Sequence, residues 1–323
     1  MAQHFLLSAA ARTLSLASVA RMSDEEALAK FVAIRWADNA GKPYCPRCGC
    51  TRLSAITTRR VWACSGCKYR FSVTAQTIFA DRKMPIRDIL LAIAIFANGA
   101  KGHSALQLSR DLACQYRTAF VLAHKIREAL GAAVHSTPEL SGTVQVDGLY
   151  TGGHRKPENR KADRKDRRLV EEQTGKRQVV VVAREVGGRT VPFVVPRESA
   201  AVPLIRNRVT SGTIVHADEA PGWDALHASF DTRRVNHSVE YVAEDGANVN
   251  WAESWFSRLR RAQYGVHHRI SGPYLAAYSN EMAWREDHRR VSNGAQWQLM
   301  TAATLRHPIS NTWRGYGHRR AAA

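Results

Sequence analysis

Four cysteines constrain the fold of this chain more than any other feature of its sequence. Cys45 and Cys48 form one Cys-x2-Cys pair, and fifteen residues separate it from a second pair, Cys64 and Cys67. Each pair fits a tight turn that presents two thiolates to one ion, and the residues between the pairs are enough for a hairpin. A redox role would need only one such pair, usually at the start of a helix. We therefore predict a zinc ribbon over residues 41–80, in which four protein ligands make the Zn²⁺ structural.

The charge of the chain points to its partners. There are 47 Lys and Arg residues against 28 Asp and Glu, a formal net charge of +19. A field of this sign attracts polyanions, above all nucleic acid, although a basic ribosome-associated factor would have the same balance. Hydrophobic residues make up 45% of the chain, which permits a packed core. No apolar run reaches the roughly 18 residues of a transmembrane helix, so we predict no membrane span.

The segment before the cysteines, residues 1–40, is predicted to be helical. Residues 1–21 superficially resemble a signal peptide, but Arg12 interrupts the apolar stretch and the cysteines downstream are spaced for metal. We therefore predict a leading helix there. A second helix is predicted over 22–40, where Ser23 can act as the N-cap and acidic residues follow in the first turn.

After the cysteines, residues 81–135 are predicted to be helical and to bind DNA. One helix is expected over 86–102, and 104–130 has the spacing of two helices with a turn near 114–116. This pair is a helix-turn-helix candidate. Its second helix would offer polar and basic side chains to DNA, namely Arg117, Thr118, His124, Lys125 and Arg127. An ordinary helical hairpin fits the same pattern.

From residue 143 the period of the apolar residues changes from helical to strand-like, which predicts an α/β domain over 140–292. Strands are expected at 143–150, 178–185, 189–196, 213–218 and 232–236. Helices are expected at 198–208, 221–228, 249–264 and 273–291, and another in the basic C-terminal tail, 293–323.

Two of these strands carry an unexpected aspartate. Asp147 follows VQV and Asp218 follows IVHA, although strands tend to exclude this residue. If the two strands are neighbours, the carboxylates lie close together, and their repulsion is relieved by divalent cations. Mg²⁺ or Mn²⁺ at such a site would serve phosphodiester chemistry. A single Asp at a strand end is more often a turn former, so the order strand-Asp, strand-Asp, helix-Glu carries the prediction.

The glutamate of that order is Glu253, in the helix predicted over 249–264. Arg260 lies seven positions later and therefore shares its face, and Asn250 lies one turn earlier on nearly the same side. A separate stripe is apolar and is predicted to face the core, namely Ala252, Trp255, Phe256 and Leu259. The polar face would direct Glu253 at the metal ions and Arg260 at a DNA phosphate.

These motifs together resemble a known family. The sequence is similar to transposases of bacterial insertion sequences, in the ISXO-like group with an N-terminal zinc ribbon. The resemblance covers roughly residues 23–290. It is carried by FVAIRW, CPRCGC, WACSGCKYRFSVTAQTIF, VQVDGLYTGG, NWAESWFSRLRRAQYGVHHRIS and YLAAYSNEMAWR.

The resemblance implies a ribonuclease H-like catalytic core with a DDE-type site, preceded by the zinc ribbon and the helix-turn-helix. Asp147 and Asp218 match the two aspartates, and Glu253 matches the third acid. The group often has lysine where this chain has Arg260, which keeps the charge and can bind phosphate in a fork. The group can also carry Asn in place of the third acid, so Asn250 is the alternative to Glu253.

The implied activity is metal-dependent cleavage at the 3′ ends of an element and transfer of those ends to target DNA. The partners would be double-stranded DNA, as inverted repeats and target, and further copies of the chain, in the bacterial cytoplasm at the nucleoid. A loop at 154–177 with ten Lys or Arg and five acids, including Arg155 and Lys156, is a further predicted DNA contact. The alternatives are a DNA-binding regulator without catalysis and a nuclease that cuts but does not join.

Overall fold

The computed structural model describes residues 5–152, 160–164, 177–236 and 242–316. The chain divides into two compact units. One consists of Val134–Asp287, and the other combines Met1–Ala133 with His288–Ala323. Within the described part of the chain, no helix is both long enough and apolar enough to cross a bilayer.

The regular elements lie close to the predicted positions. The α-helices are α1 Leu16–Ala20, α2 Asp24–Arg35, α3 Ile86–Asn98, α4 Ala105–Asp111, α5 Tyr116–His135, α6 Val202–Arg206, α7 Asn250–Ala262, α8 Leu275–Asp287 and α9 Asn293–Arg306. The strands are β1 Leu53–Ile56, β2 Val61–Cys64, β3 Arg70–Ser72, β4 Thr143–Gly152, β5 Arg177–Glu185, β6 Thr190–Val195, β7 Ile214–Asp218 and β8 Asp231–Val235. The helices predicted at 198–208 and 221–228 consist partly or wholly of 3₁₀-helix, over Glu198–Ala201 and Pro221–Ala228.

The unit Val134–Asp287 is built on a mixed five-stranded sheet in the order β6-β5-β4-β7-β8. The pairs β6–β5 and β5–β4 are antiparallel, whereas β4–β7 and β7–β8 are parallel. The valine run of β5 is fully buried. Helix α7 packs on β4 and β5, and α8 packs on β6. The predicted α/β class, a mixed sheet flanked by helices, is confirmed.

One buried arginine ties α7 and α8 to this sheet. Arg184 of β5 donates from Nη1 to the Trp251 carbonyl of α7 (2.6 Å) and from Nη2 to Glu286 of α8 (2.5 Å). The other carboxylate oxygen of Glu286 forms an ion pair with Arg258, whose Nε lies 2.9 Å from Oε2. Such a buried ion pair adds little net stability, but breaking it would leave an unpaired charge in the interior. It therefore fixes where the two helices lie on the sheet.

The other unit contains the cysteine-rich segment. Its strands form an antiparallel sheet in the order β1-β2-β3. Trp36, at the end of α2, is buried against this sheet and makes edge contacts with the rings of Trp62 and Phe71. Helix α3 is buried along most of its length and packs on α1, α2 and α9. The small ribbon thus shares its apolar core with a helix that precedes it in the chain.

The prediction of one leading helix over residues 1–21 is wrong for the described residues. Two short 3₁₀ turns, Phe5–Leu7 and Ala9–Ala11, precede the five-residue α1. The break is explained by Asn293 at the start of α9. Its Oδ1 accepts hydrogen bonds from the backbone N–H groups of Thr13 and Leu14, at 2.8 and 2.9 Å. These two groups therefore bond to a distant side chain instead of to the preceding turn.

Helix α2 begins with the predicted cap, and this gives a first testable expectation. Ser23 Oγ accepts from the Glu26 N–H (3.1 Å), while the Glu26 carboxylate accepts from the Ser23 N–H (2.7 Å). Because Ser23→Ala leaves the Glu26 N–H without this acceptor, we expect the first turn of α2 to lose about 1 kcal/mol of stability. Hydrogen exchange at the Glu26 amide should then be about fivefold faster than in the parent. Ser18→Ala, at an exposed serine of α1, is the control and should leave this amide unchanged.

Candidate active site and metal centre

The four cysteines converge as predicted. Cys45 Sγ lies 3.6 Å from Cys67 Sγ, and Cys48 Sγ lies 3.6 Å from Cys64 Sγ. All four sulfur atoms are within 4.8 Å of one another. A tetrahedral site with Zn–S bonds of about 2.3 Å requires sulfur atoms about 3.8 Å apart. The thiolate set and its spacing therefore fit one Zn²⁺ ion.

The two aspartates lie side by side in the five-stranded sheet. β4 and β7 are parallel, with Gln145 paired with His216 and Val146 paired with Ala217. The next pair in the same register is Asp147 and Asp218, on strands about 4.8 Å apart. Asp218 ends β7 as predicted. Asp147 does not end β4, which continues to Gly152 paired with β5 alone. The pairing between β4 and β7 thus ends at the two aspartates.

The surroundings of Asp147 disfavour the ionised form of its carboxyl group. Burial is the largest cause that raises the pKa of Asp147 from its usual value to about 7. The charges of Asp218, Glu253 and Glu198 add to this rise, and a hydrogen bond from the Gly148 N–H (2.6 Å) opposes it. Three carboxylates from distant parts of the chain therefore act on this one. A cation would keep all of them ionised.

Helix α7 has the two faces that the sequence predicts. Ala252, Trp255, Phe256 and Leu259 are buried, whereas Asn250, Glu253 and Arg260 are exposed. The polar face is continuous over more than two turns. A short π-helical turn over Gln263–His267 follows α7.

Glu198 is a member of the site that sequence reasoning missed. It begins the 3₁₀ turn after β6, and the Tyr150 hydroxyl is its hydrogen-bond partner. Burial raises its pKa, and the nearby charge of Asp218 raises it further. A Cβ on Gly148 would lie 2.6 Å from Glu198 Oε1, so a side chain on the residue after Asp147 would displace the Glu198 carboxylate. No spacing or periodicity marks Glu198 in the sequence, and only the glycine after Asp147 gives an indirect signal.

The carboxylates are spread more widely than the cysteines. Among the described residues, the cysteine cluster is the one group of three or more ligand-type side chains within 4.8 Å of one another. Asp147, Asp218 and Glu253 therefore do not form a compact site for a single ion. Two ions about 3.5–4 Å apart can be held by carboxylates with this wider spacing. The all-oxygen donor set suits Mg²⁺ or Mn²⁺ rather than a softer metal.

The residues of α5 that are predicted to contact DNA differ in their exposure to solvent. Arg117 is exposed at the start of the helix. Lys125 is partly buried, and this burial lowers its pKa. Arg127 is fully buried, stacked over Phe96, with Nη2 donating to the His103 carbonyl (3.2 Å).

The position of Arg127 is at odds with the prediction that it contacts DNA, because its guanidinium is used inside the helical unit. His124 is also fully buried, against the ring of Trp313 (4.5 Å between centroids). Arg155 and Lys156 lie outside the described residues.

The fold and the two sites define an α/β domain with carboxylates on two neighbouring interior strands of a mixed sheet, in a chain that also carries a four-cysteine ribbon. Comparison with family models agrees with this pairing. Residues 139–287 match the ISXO2-like transposase domain, and residues 22–70 match the transposase zinc-ribbon domain. The chain thus carries the two domains of an ISXO2-like transposase. Comparisons with curated proteins and with solved structures give no significant match.

Proposed function

We propose that this transposase is catalytically active, cutting the 3′ ends of an insertion element and joining them to target DNA. The supporting observation is the register of β4 and β7, which makes neighbours of Asp147 and Asp218 within the segment that matches the transposase domain. The charge of Glu253 acts on Asp147, which supports Glu253 as the third acid, with Asn250 one turn earlier as the alternative. We infer a ribonuclease H-like core from the same sheet.

In this proposal Asp147, Asp218 and Glu253 would hold two Mg²⁺ or Mn²⁺ ions. When bound, such ions would activate the attacking hydroxyl and stabilise the leaving oxygen of the phosphodiester. The protein residues supply orientation. Asp147 is held by the Gly148 N–H and Asp218 by the Ala220 N–H (3.2 Å), so both carboxylates have fixed directions. Arg260, exposed two turns beyond Glu253, is the residue we assign to a DNA phosphate.

DNA binding is assigned to the ribbon and to the helices that follow it. α4 and α5 are joined by a short turn at 112–115, and we propose that they act as a helix-turn-helix with Arg117 and Lys125 toward DNA. We retain the domain division into 41–80, 81–135 and 140–292, with the loop residues Arg155 and Lys156 as further contacts. Because two element ends must be joined, we propose a homo-oligomer on DNA, in the bacterial cytoplasm.

The test is a strand-transfer assay. The zinc-loaded chain is incubated with a labelled duplex carrying the inverted repeat that flanks its gene, together with a target plasmid. We expect a nick at the 3′ end of the repeat and joined products, both dependent on Mg²⁺ or Mn²⁺ because the carboxylates bind no substrate without a cation. A shuffled repeat of the same length is the control.

Two other outcomes would contradict the proposal. Binding of the repeat with neither nicking nor joining would identify a regulator, and the carboxylate cluster would then have no catalytic role. Nicking without joining would identify a nuclease.

A further inference from the structure

Gln145 is a fully buried polar residue near the start of β4, two positions before Asp147 and on the same face of the sheet. Its Oε1 accepts hydrogen bonds from the backbone N–H groups of Trp251 (2.7 Å) and Ala252 (3.3 Å). Its Nε2 donates to Oδ1 of Asn248 (2.7 Å). All of the hydrogen-bonding capacity of this amide oxygen, and one of its two N–H groups, is used on the segment that leads into α7.

The two N–H groups bound by Gln145 belong to the first turn of a helix, where no intrahelical acceptor exists. Such groups are usually satisfied by the side chain of the N-cap residue. Here the N-cap is Val249, which makes no side-chain cap hydrogen bond. A glutamine of the sheet therefore replaces the local cap, and it fixes the start of α7 to the strand that carries Asp147.

His216 of β7 repeats this arrangement from the neighbouring strand. It is the register partner of Gln145, and its Nδ1 accepts from the backbone N–H of Asn248 (3.3 Å). The pair Gln145–His216 thus lies directly beneath the pair Asp147–Asp218 on the same strands. The upper pair carries the carboxylates, and the lower pair holds the segment 248–252, which ends one residue before Glu253.

We propose that Gln145 and His216 are positioning residues, which fix Glu253 relative to Asp147 and Asp218 and thereby set the affinity of the site for divalent cations. The inference rests on the proposed function. Neither side chain needs to touch the metal or DNA, since each acts through the backbone of the α7 start. Residues behind the ligands of a metal site typically change its affinity about 10- to 100-fold when they are removed.

The effect of removing the Gln145 amide should be local, which distinguishes a positioning role from a purely structural one. The body of α7 is already held by its buried apolar stripe and by the Arg184 bond to the Trp251 carbonyl. Removal of the Gln145 amide should therefore loosen the first turn and leave the rest of the helix in place. The effect should appear as weaker cation binding, beyond any general loss of stability.

The experiment compares Gln145→Leu with Thr190→Val in the full, zinc-loaded chain. Thr190 is fully buried on β6 of the same sheet and makes none of the contacts to 248–252, so it controls for loss of a buried polar group. Mn²⁺ binding is measured by calorimetry, and hydrogen exchange is followed at the Trp251 and Ala252 amides. We expect Gln145→Leu to bind Mn²⁺ about 10- to 100-fold more weakly and to exchange these amides faster. Thr190→Val should do neither.

The outcomes separate this inference from the proposed function. Equal Mn²⁺ affinity in the two variants, or a parent chain that binds no Mn²⁺, would overturn the inference, while strand transfer by the parent judges the function independently. The parent chain could fail to transfer strands while its Mn²⁺ affinity still depends on Gln145. That result would support the inference and contradict the proposed function. If Gln145→Leu does not fold, His216→Phe keeps an aromatic ring and removes the acceptor for the Asn248 N–H, and it should weaken Mn²⁺ binding in the same direction.

Discussion

Asp147→Asn should abolish the joining of element ends, with a fall of about 1000-fold or more in the rate of strand transfer. The substitution keeps the size of the side chain and its bond from the Gly148 N–H, but it removes the charge at the centre of the carboxylate cluster. Catalytic cations supply several kcal/mol of charge stabilisation in the transition state, and each 1.4 kcal/mol corresponds to about tenfold in rate. Labelled element ends and a target plasmid give the rate directly.

The matched control is Asp231→Asn. Asp231 is exposed at the start of β8, at the opposite end of the parallel strands from Asp218, and its ion-pair partner is the half-buried Arg233 (3.2 Å). The change in net charge is identical, so transfer should proceed at the rate of the parent. Unimpaired strand transfer by a folded, zinc-loaded Asp147→Asn protein would refute the catalytic assignment of this residue.

The pH dependence of stability shows whether Asp147→Asn is folded. The pKa of Asp147 is raised to about 7 in the folded chain, so the protonated form is favoured there. The stability that this group contributes is present below about pH 4 and is lost as the pH rises through about 7. Without added divalent cations, Asp147→Asn should therefore unfold at a higher temperature than the parent near about pH 8. The difference should shrink toward about pH 4.

The parts of this structure that the sequence predicts are those with a local signal. The cysteine spacing predicts the ribbon because four sulfur ligands leave few alternatives. The change in apolar period at residue 143 predicts the strands, and the stripe from Ala252 to Leu259 predicts which face of α7 is buried. The adjacency of Asp147 and Asp218 could be stated only as a condition, because strand order and register depend on pairing between distant segments.

The residues that sequence reasoning missed act over long distances. Gln145 bonds to amides more than a hundred positions away, and an isolated glutamine in a strand has no recognisable pattern. Glu198 reaches the site because the chain turns after β6 toward Gly148. Helical spacing alone predicts that Arg127 contacts DNA. It cannot show that Phe96 and His103, which are distant in sequence, bind the Arg127 side chain in the interior.

Cys45→Ala should remove the bound zinc and unfold the ribbon while the unit Val134–Asp287 stays folded. The ribbon has a three-stranded sheet of short strands and a small core around Trp36, so the ion supplies much of its folding free energy. Structural zinc sites in such small modules contribute about 10–16 kcal/mol near neutral pH. Zinc content by mass spectrometry should fall from one ion per chain to none, and affinity for the element ends should fall with it. Hydrogen exchange in β4 and β5 should stay slow.

Cys50→Ala is the matched control, because it removes a nearby thiol that is not one of the four predicted ligands. Cys50 is close to the cluster, since a Cβ on Gly66 would lie 3.5 Å from Cys50 Sγ and 3.7 Å from Cys64 Sγ. It is nevertheless not one of the four converging sulfur atoms. If four thiolates complete the coordination, Cys50→Ala keeps its zinc and its affinity for element ends. Unchanged zinc in Cys45→Ala would mean that Cys50 or another donor replaces the lost ligand. The ribbon would then be held by an interchangeable set of thiols, and the spacing of the two pairs would not determine its fold.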